Sequence, residues 1–334
     1  MTAVPPVAVV TGGAGFIGSH MVDLLVARGW RVRVLDNLSG GHERNLAHHA
    51  GGDVALETRD IRGVEPGDAL FAGARFVFHF AGIGDIVPSI ERPTEYMDVN
   101  VQGTVRVLEA TRAAGAKLVY AASSSCYGLA AVPTREDHPI DPQYPYALSK
   151  HLGERAAMHW HAVYGLPVNA IRIFNAYGTR ARTSGAYGAV FGVFLRQKLA
   201  GRPFTVVGDG SQSRDFVYAS DVAQAFLDAA MSDRTGEIWN VGAGSPQTVN
   251  RLVALLGGPV VHVAKRPGEP DCTWADIGKI RHELGWVPRV TFEEGVARVV
   301  AEIDYWREAP LWDPESIAKA TEAWHRYLAP RRPA

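Results

Sequence analysis

The sequence predicts an α/β fold, a doubly wound parallel sheet followed by a smaller mixed α/β domain. Three observations predict it. Apolar runs of strand length alternate with stretches of helix length as far as residue 174, and parallel strands need such crossover helices. The first run leads directly into Gly12, Gly15 and Gly18 at G-x-x-G-x-x-G spacing. From Asn175 onward the alternation loosens into short runs separated by glycine and proline clusters.

The first strand is read over residues 7–10, and its helix through Ile17, Met21, Leu24 and Leu25. Each glycine between them has its own reason. A tight strand-to-helix turn needs positive φ, a pyrophosphate needs the backbone close, and the helix must pack on the strand with no Cβ between. The helix N-terminus then offers free N–H groups to phosphates. The second strand, 31–35, ends in Asp36, placed to bond both ribose hydroxyls of an adenosine and to repel a 2′-phosphate. These features predict a Rossmann-type site for NAD rather than NADP.

A loop over 37–41 leads to a polar segment rich in His and Arg. The third strand, 54–57, is followed by Asp60, which either meets the adenine amino group or serves as a turn-forming Asx. The fourth, 74–80, ends in Ala81-Gly82, small residues that let a cofactor lie across its carboxyl end. Residues 82–88 read as a loop. The stretch 93–115 reads as one long helix, with Met97, Val101, Val105 and Leu108 on its apolar face and a glycine near its end. Asn100 within it either reaches the cofactor or sits on the helix surface.

A strand over 117–122 runs into Ser123-Ser124-Ser125-Cys126-Tyr127-Gly128. A helix over 146–160 and a strand over 168–174 complete the first domain, residues 1–174. The remainder, 175–334, reads as the smaller domain, with apolar runs at 204–207, 238–241 and 260–263. Within it 214–242 is expected to return to the first domain, 215–230 as a helix. A last helix is expected over 314–328.

The composition narrows the function. A chain of 334 residues with 47% hydrophobic and 21% charged residues suits a globular enzyme with a sizeable core. Lys and Arg total 34 against 35 Asp and Glu, a net charge of −1, so no basic excess suggests a nucleic-acid partner. Two cysteines, Cys126 and Cys272, fit a reducing compartment and argue against a disulfide framework. No run approaches the roughly 20 apolar residues of a membrane span. Met1-Thr2-Ala3 leaves no room for a leader before the first strand. The expectation is a cytoplasmic protein with no membrane partner and no metal.

Tyr146 and Lys150, four apart on a helix, share one face about a turn apart. A phenol with a pKa near ~10 is a poor base at neutral pH. A nearby ammonium and a positive nicotinamide ring favour the phenolate. A hydroxyl from Ser123 or Ser124, at the end of the adjacent strand, orients a substrate hydroxyl. Such a set takes a proton from an alcohol while hydride leaves for NAD.

In this order the motifs resemble the extended short-chain dehydrogenase/reductase family, specifically its nucleotide-sugar epimerases of the UDP-hexose 4-epimerase type. The resemblance spans nearly the whole chain. It rests on Thr11-Gly12-Gly13-Ala14-Gly15-Phe16-Ile17-Gly18, Asp36-Asn37, Asp60-Ile61, the Ser123 to Gly128 run, Tyr146 and Lys150, Phe174-Asn175, residues 208–216, and Arg266-Pro267-Gly268-Glu269. It implies that Gly12, Gly15, Phe16, Ile17, Gly18, Asp36, Asn37, Asp60, Ile61, Ala81, Gly82, Asn100, Tyr146 and Lys150 hold NAD. It selects Ser123, four residues before the tyrosine of the Tyr-Gly pair, as the catalytic serine beside Tyr146 and Lys150. For a UDP-sugar it implies contacts from Ser123, Ser124 and Tyr146. Asn175, Arg214 and Arg266 would hold the diphosphate, Glu269 the nucleotide ribose, and Ser89 the sugar or pyrophosphate.

The related 4,6-dehydratases carry Thr-Asp-Glu where this chain has Ser123-Ser124-Ser125, so no carboxylate is supplied for dehydration. Cys126 does not match the offset of the thiol of the 3,5-epimerases and reads as a buried small apolar residue. The resemblance implies 4-epimerisation of a glucose, N-acetylglucosamine or glucuronate form through a 4-keto sugar. A 2-epimerase, a reductase and a non-catalytic dinucleotide-binding module are the alternatives. The loop over 179–192, with Arg180, Arg182 and Tyr187, is expected at the sugar, its arginines meeting either an acidic group there or the diphosphate. A homodimer through the helices at 93–115 and 146–160 is implied as well.

Overall fold

The structure, a computed structural model, describes residues 5–181 and 190–328. Its first part runs β1 (Val7–Thr11), α1 (Phe16–Ala27), β2 (Arg31–Asp36), β3 (Val54–Thr58), β4 (Ala74–His79), α2 (Ile86–Glu91), α3 (Pro93–Met97), α4 (Thr104–Ala114), β5 (Lys117–Ser123), α5 (Pro145–Tyr164) and β6 (Val168–Ile173). There follow β7 (Asn175–Tyr177), α6 (Val190–Leu199), β8 (Phe204–Val207), β9 (Ser213–Arg214), β10 (Phe216–Tyr218), α7 (Ala219–Met231), β11 (Ile238–Val241), β12 (Gln247–Thr248), α8 (Val249–Leu256) and β13 (Val260–Val263). Four helices close the chain: α9 (Gly278–Leu284), α10 (Phe292–Ala301), α11 (Pro314–Ala320) and α12 (Glu322–Leu328).

Seven strands pair in parallel in the order β11-β6-β5-β4-β1-β2-β3. The chain leaves β1 toward β2 and β3, then resumes at β4 on the other side of β1. That boundary is the topological switch point, where such sheets leave a crevice beyond their carboxyl ends. Period-two alternation sends Ala8 and Val10 to one face of the sheet and Val9 to the other. The first face is covered by Met21, Val22 and Leu25 of α1 with Val222 and Phe226 of α7, the second by Val107, Leu108 and Ala157. A separate core gathers Phe191, Phe194, Phe204, Leu252, Val299 and Trp306.

The structure differs from the sequence reading at four elements. Residues 93–115 are not one regular helix: a π-helical turn, Asp98–Gly103, separates α3 from α4. Such turns insert an extra residue and re-aim a side chain, here Asn100. The expected loop at 82–88 ends in α2, whose Pro88 stands in the first turn, where a missing N–H costs nothing. The helix expected over 215–230 begins only at Ala219, because Phe216-Val217-Tyr218 pairs with β7. Over 314–328 two short helices meet at Thr321. Helix α7 packs against α1, and β11 is the edge strand beside β6, with Ile238 opposite Ala170 and Val241 opposite Ile173.

Candidate active site

The glycine turn lies at the switch point. Gly12 has φ +71°, and a Cβ there would stand 2.7 Å from the Ala81 nitrogen at the end of β4. A Cβ on Gly18 would stand 2.1 Å from the Gly12 carbonyl oxygen, so helix and turn approach as only glycine allows. Gly15 caps α1 without a side-chain bond, which leaves the first-turn N–H groups for an anion. Ile17 packs against the core, while the ring of Phe16 lines the cleft toward β7.

Asp36, at the end of β2, is buried and accepts Ala14 N–H at 3.0 Å on one oxygen and Leu38 N–H at 2.8 Å on the other. Burial pushes its carboxyl up and these backbone bonds pull it back. Each oxygen keeps a lone pair for a ribose hydroxyl. Asp60 takes the Asx role: it accepts Arg62 N–H at 2.8 Å, and its hydrogen bonds from Arg62 hold its carboxyl down at about 2. Asn37 donates to it at 3.0 Å, and Ile61 behind it is buried.

Asn100 is not on the helix surface. It is buried, and its amide bonds both backbone groups of Ile83 and the Ser149 hydroxyl, each at 2.9 Å. It thereby pins the Ala81–Gly82 end of β4 to α5. A side chain at Gly82 would come within 2.9 Å of Asn100 Oδ1 and 3.9 Å of Lys150 Nζ. The close approaches at Gly12, Gly18 and Gly82 are possible only because Cβ atoms are absent, and with the free N–H groups at the start of α1 they fit a dinucleotide laid across the switch point.

Pro145 starts α5, placing Tyr146 in its first turn and Lys150 one turn on. Tyr146 Oη donates to Ser123 Oγ at 3.5 Å. Ser123 Oγ also pairs with Ser125 Oγ at 2.8 Å, which fixes it at the end of β5. Ser124 follows on the same turn. Burial pushes the Tyr146 phenol above its ordinary value, with the Ser123 bond pulling the other way. Lys150 Nζ stands 4.6 Å above the Tyr120 ring. Burial pulls its ammonium down to about 8, against the pull of Glu154. Burial also pushes the Cys126 thiol up to about 12, leaving it an inert core residue.

Across the cleft, Arg214, Arg266 and Glu269 form one cluster. Glu269 accepts Arg214 Nη2 at 2.8 Å and faces Arg266 Nε at 2.9 Å. Asn175 Oδ1 accepts the Thr273 hydroxyl at 2.6 Å. All four border the cleft, of about 290 Å³, between Phe16 and the second core, the first three and Asn175 together lining it. Ser89 is buried and donates to the Ile86 carbonyl within α2 at 2.6 Å, and its bond is spent on its own helix. Arg180 turns away from the cleft toward α1, meeting Asp23, His20 Nδ1 and the Asn45 carbonyl. Arg182 and Tyr187 lie outside the described residues.

Four aromatic and charged groups around the site escaped the sequence reading. Tyr144 stacks on Tyr146 with ring planes 10° apart, Tyr96 meets Tyr146 edge-on, and Trp324 lies under the Arg266 guanidinium. Glu154, one turn beyond Lys150, is buried against Arg172. Its spacing of four from Lys150 was the available signal. Among the described residues no helix is long and apolar enough to cross a membrane.

Residues 8–242 match the family model described as the NAD dependent epimerase/dehydratase family. A UDP-glucose 4-epimerase of Mycolicibacterium smegmatis is 37% identical over 310 residues, covering 87% of this chain and 96% of that protein. The solved UDP-N-acetylglucosamine 4-epimerase of Methanobrevibacter ruminantium, in complex with UDP-N-acetylmuramic acid, superposes with a TM-score of 0.84 at 31% identity, covering 90% of this chain and 98% of that one. The UDP-glucuronic acid 4-epimerase of Bacillus cereus, with UDP-glucuronic acid and NAD, gives 0.83 at 27% identity over 90% and 99%.

Proposed function

The chain belongs to the NAD-dependent epimerase/dehydratase family, and from that premise we propose that it inverts C4 of a UDP-hexose through a transient 4-keto sugar. It is an NAD-dependent enzyme of the UDP-sugar 4-epimerase type. One observation carries the reading: Tyr146 Oη meets Ser123 Oγ at 3.5 Å with Lys150 one turn away and Gly82 of the β4 end beside Lys150 Nζ.

Bound NAD would supply the hydride acceptor and donor for the sugar carbon. Gly12, Gly15, Phe16, Ile17 and Gly18 would hold its pyrophosphate, Asp36 and Asn37 a ribose, Asp60 and Ile61 the adenine side, and Ala81, Gly82, Asn100 and Lys150 the nicotinamide side. Tyr146, as phenolate, removes the proton from the sugar O4 and gives it back after the sugar has turned about its diphosphate linkage. Ser123 guides that proton, with Ser124 beside it at the sugar. Burial, then Asp85 and Cys126, oppose the phenolate, so in this reading Lys150 supplies the compensating charge within the pocket. Asn175, Arg214 and Arg266 clasp the diphosphate, since guanidinium forks match phosphate oxygens. Glu269 takes the nucleotide ribose and, through its bonds to both arginines, keeps them aimed. Ser89, buried with its hydroxyl on the Ile86 carbonyl, is left out of the substrate contacts. Neither Ser124 nor Ser125 offers a carboxylate, which disfavours dehydration.

Residues 1–174 with 214–242 form the NAD-binding domain in this reading, and the rest of 175–334 the nucleotide-sugar domain. The protein is cytoplasmic and a homodimer through 93–115 and 146–160. Leu148 and Leu152 support the dimer, being exposed apolar neighbours one turn apart on α5. A panel of UDP-hexoses, hexosamines and uronates analysed by NMR tests the activity, and the expected product is the C4 epimer of one of them. Released NADH or a product inverted at C2 would favour reduction or 2-epimerisation. No turnover with any sugar would favour a non-catalytic module.

Cofactor choice gives a second test. Asp36 beside a 2′-phosphate would place like charges together, which costs several kcal/mol, so NAD is expected to bind at least about 100-fold more tightly than NADP. Asp36→Asn, which keeps the shape and removes the charge, should narrow that gap. Equal affinities in the unaltered protein, measured by calorimetry, would end this role for Asp36.

A further inference from the structure

We propose that Asp23, His48 and His49 form a binding site for a divalent transition-metal ion of the zinc class, apart from the catalytic cleft. His48 Nε2 and His49 Nε2 both point at the same carboxylate oxygen, Asp23 Oδ1, at 2.7 and 2.8 Å. The two rings stand 4.0 Å apart between centroids. All three ligand atoms lie within 4.8 Å of one another. Ligands bonded to zinc at about 2.0–2.2 Å stand roughly 3–3.5 Å apart, so seating an ion asks the imidazoles to move by only tenths of an ångström.

The donor set decides the class of ion. Two imidazole nitrogens and one carboxylate oxygen suit zinc and its neighbours, whereas magnesium and calcium take all-oxygen shells. His48 is exposed, with His49 and Asp23 less so, which gives an ion a path in and open positions for water. The cluster is held from behind. Arg180 bonds Asp23 Oδ2 and the Asn45 carbonyl, while Asn45 Nδ2 donates to the Ala14 carbonyl at 2.8 Å. Such partners orient ligands in metal sites. The same guanidinium repels a dication, so the affinity falls in the micromolar range rather than below it.

The protons balance. To bind the ion, each ring presents its Nε2 lone pair and keeps its proton on Nδ1, so the ligands are two neutral imidazoles and one carboxylate. The ion would tie α1 to the turn at 47–49 and, through Arg180, to Thr179, whose carbonyl faces His20 Nε2 at 3.0 Å. This assigns a role to the His- and Arg-rich segment that the catalytic reading leaves unused.

The test uses the untagged, full-length, NAD-loaded protein after dialysis against chelator, with no sugar nucleotide present. Zn²⁺ titration by calorimetry is expected to give one site per chain, and Co²⁺ to give visible d–d bands typical of nitrogen and oxygen ligands. The double variant His48→Gln/His49→Gln should bind Zn²⁺ at least about tenfold more weakly and lose the Co²⁺ bands. Cys272→Ser should leave both unchanged, and Zn²⁺ should raise the melting temperature of the unaltered protein but not of the double variant. The proposal is overturned by no binding in the unaltered protein, by equal binding in the double variant, or by loss of binding in Cys272→Ser.

Discussion

Tyr146→Phe is expected to lose about 10²- to 10⁴-fold in kcat, the range that a positioned proton-transfer group contributes. Its ring sits between Tyr144 and Tyr96, and phenylalanine preserves both contacts. Among the described residues the only hydrogen bond it forfeits is the long one to Ser123 at 3.5 Å, which contributes little to stability. The glycine turn, Asp36 and the β4 end keep every contact in the variant, so NAD released on denaturation should match the unaltered protein. Burial pushes this phenol up, so the reactive phenolate grows with pH and the unaltered enzyme should gain kcat along its acid limb. The variant's residual rate should be flat there. Turnover within tenfold of the unaltered enzyme, followed by NMR of the sugar, would remove Tyr146 from the chemistry.

Arg172→Leu is expected to destabilise the fold by about 3–5 kcal/mol at pH 7.5, because it leaves a buried carboxylate without its partner. Arg172 donates to Glu154 at 2.8 and 2.7 Å, to the Tyr127 hydroxyl at 2.7 Å and to the Glu136 carbonyl at 3.0 Å. Burial alone would push the Glu154 carboxyl up, yet the Arg172 bonds, with a smaller pull from His151, outweigh it and hold it below 4.5. In the unaltered protein that stabilisation is full above pH 4.5 and is lost as pH falls through the depressed value. Without Arg172 the sign reverses: Glu154 rises above 4.5, and its penalty shrinks once acid protonates it. Urea melts should therefore show a larger deficit at pH 7.5 than at pH 5. Adding Glu154→Leu should restore most of the loss, since a pair of apolar groups is far cheaper than one orphaned charge. A deficit under about 1 kcal/mol at pH 7.5 would contradict this account.

Much of the site was legible because its residues lie at fixed local spacings. Gly12, Gly15 and Gly18, Asp36 after its strand, and the Tyr146 and Lys150 pair each follow from short-range geometry. What escaped depends on contacts made across the fold. Met97 and Val101 keep helical spacing whether or not an extra residue widens the turn, so the π turn that buries Asn100 left no mark. Phe216-Val217-Tyr218 was absorbed into a helix because its strand partner, β7, comes some 40 residues earlier. Arg180 is read from the sequence as meeting an acidic group on the sugar or the diphosphate, whereas the fold pairs it with Asp23 of α1. Arg172 is the one charge in a buried strand, and only the packing of α5 against β6 reveals its partner.

The position of β11 has a bearing on how the nascent chain matures. β6 cannot receive its outer neighbour until Ile238–Val241 has left the ribosome, after β7 to β10 have been synthesised. Until then β6 is an open margin on which another nascent copy could add a strand. Slowing translation between residues 174 and 241 prolongs that interval, and chaperone demand should rise with it.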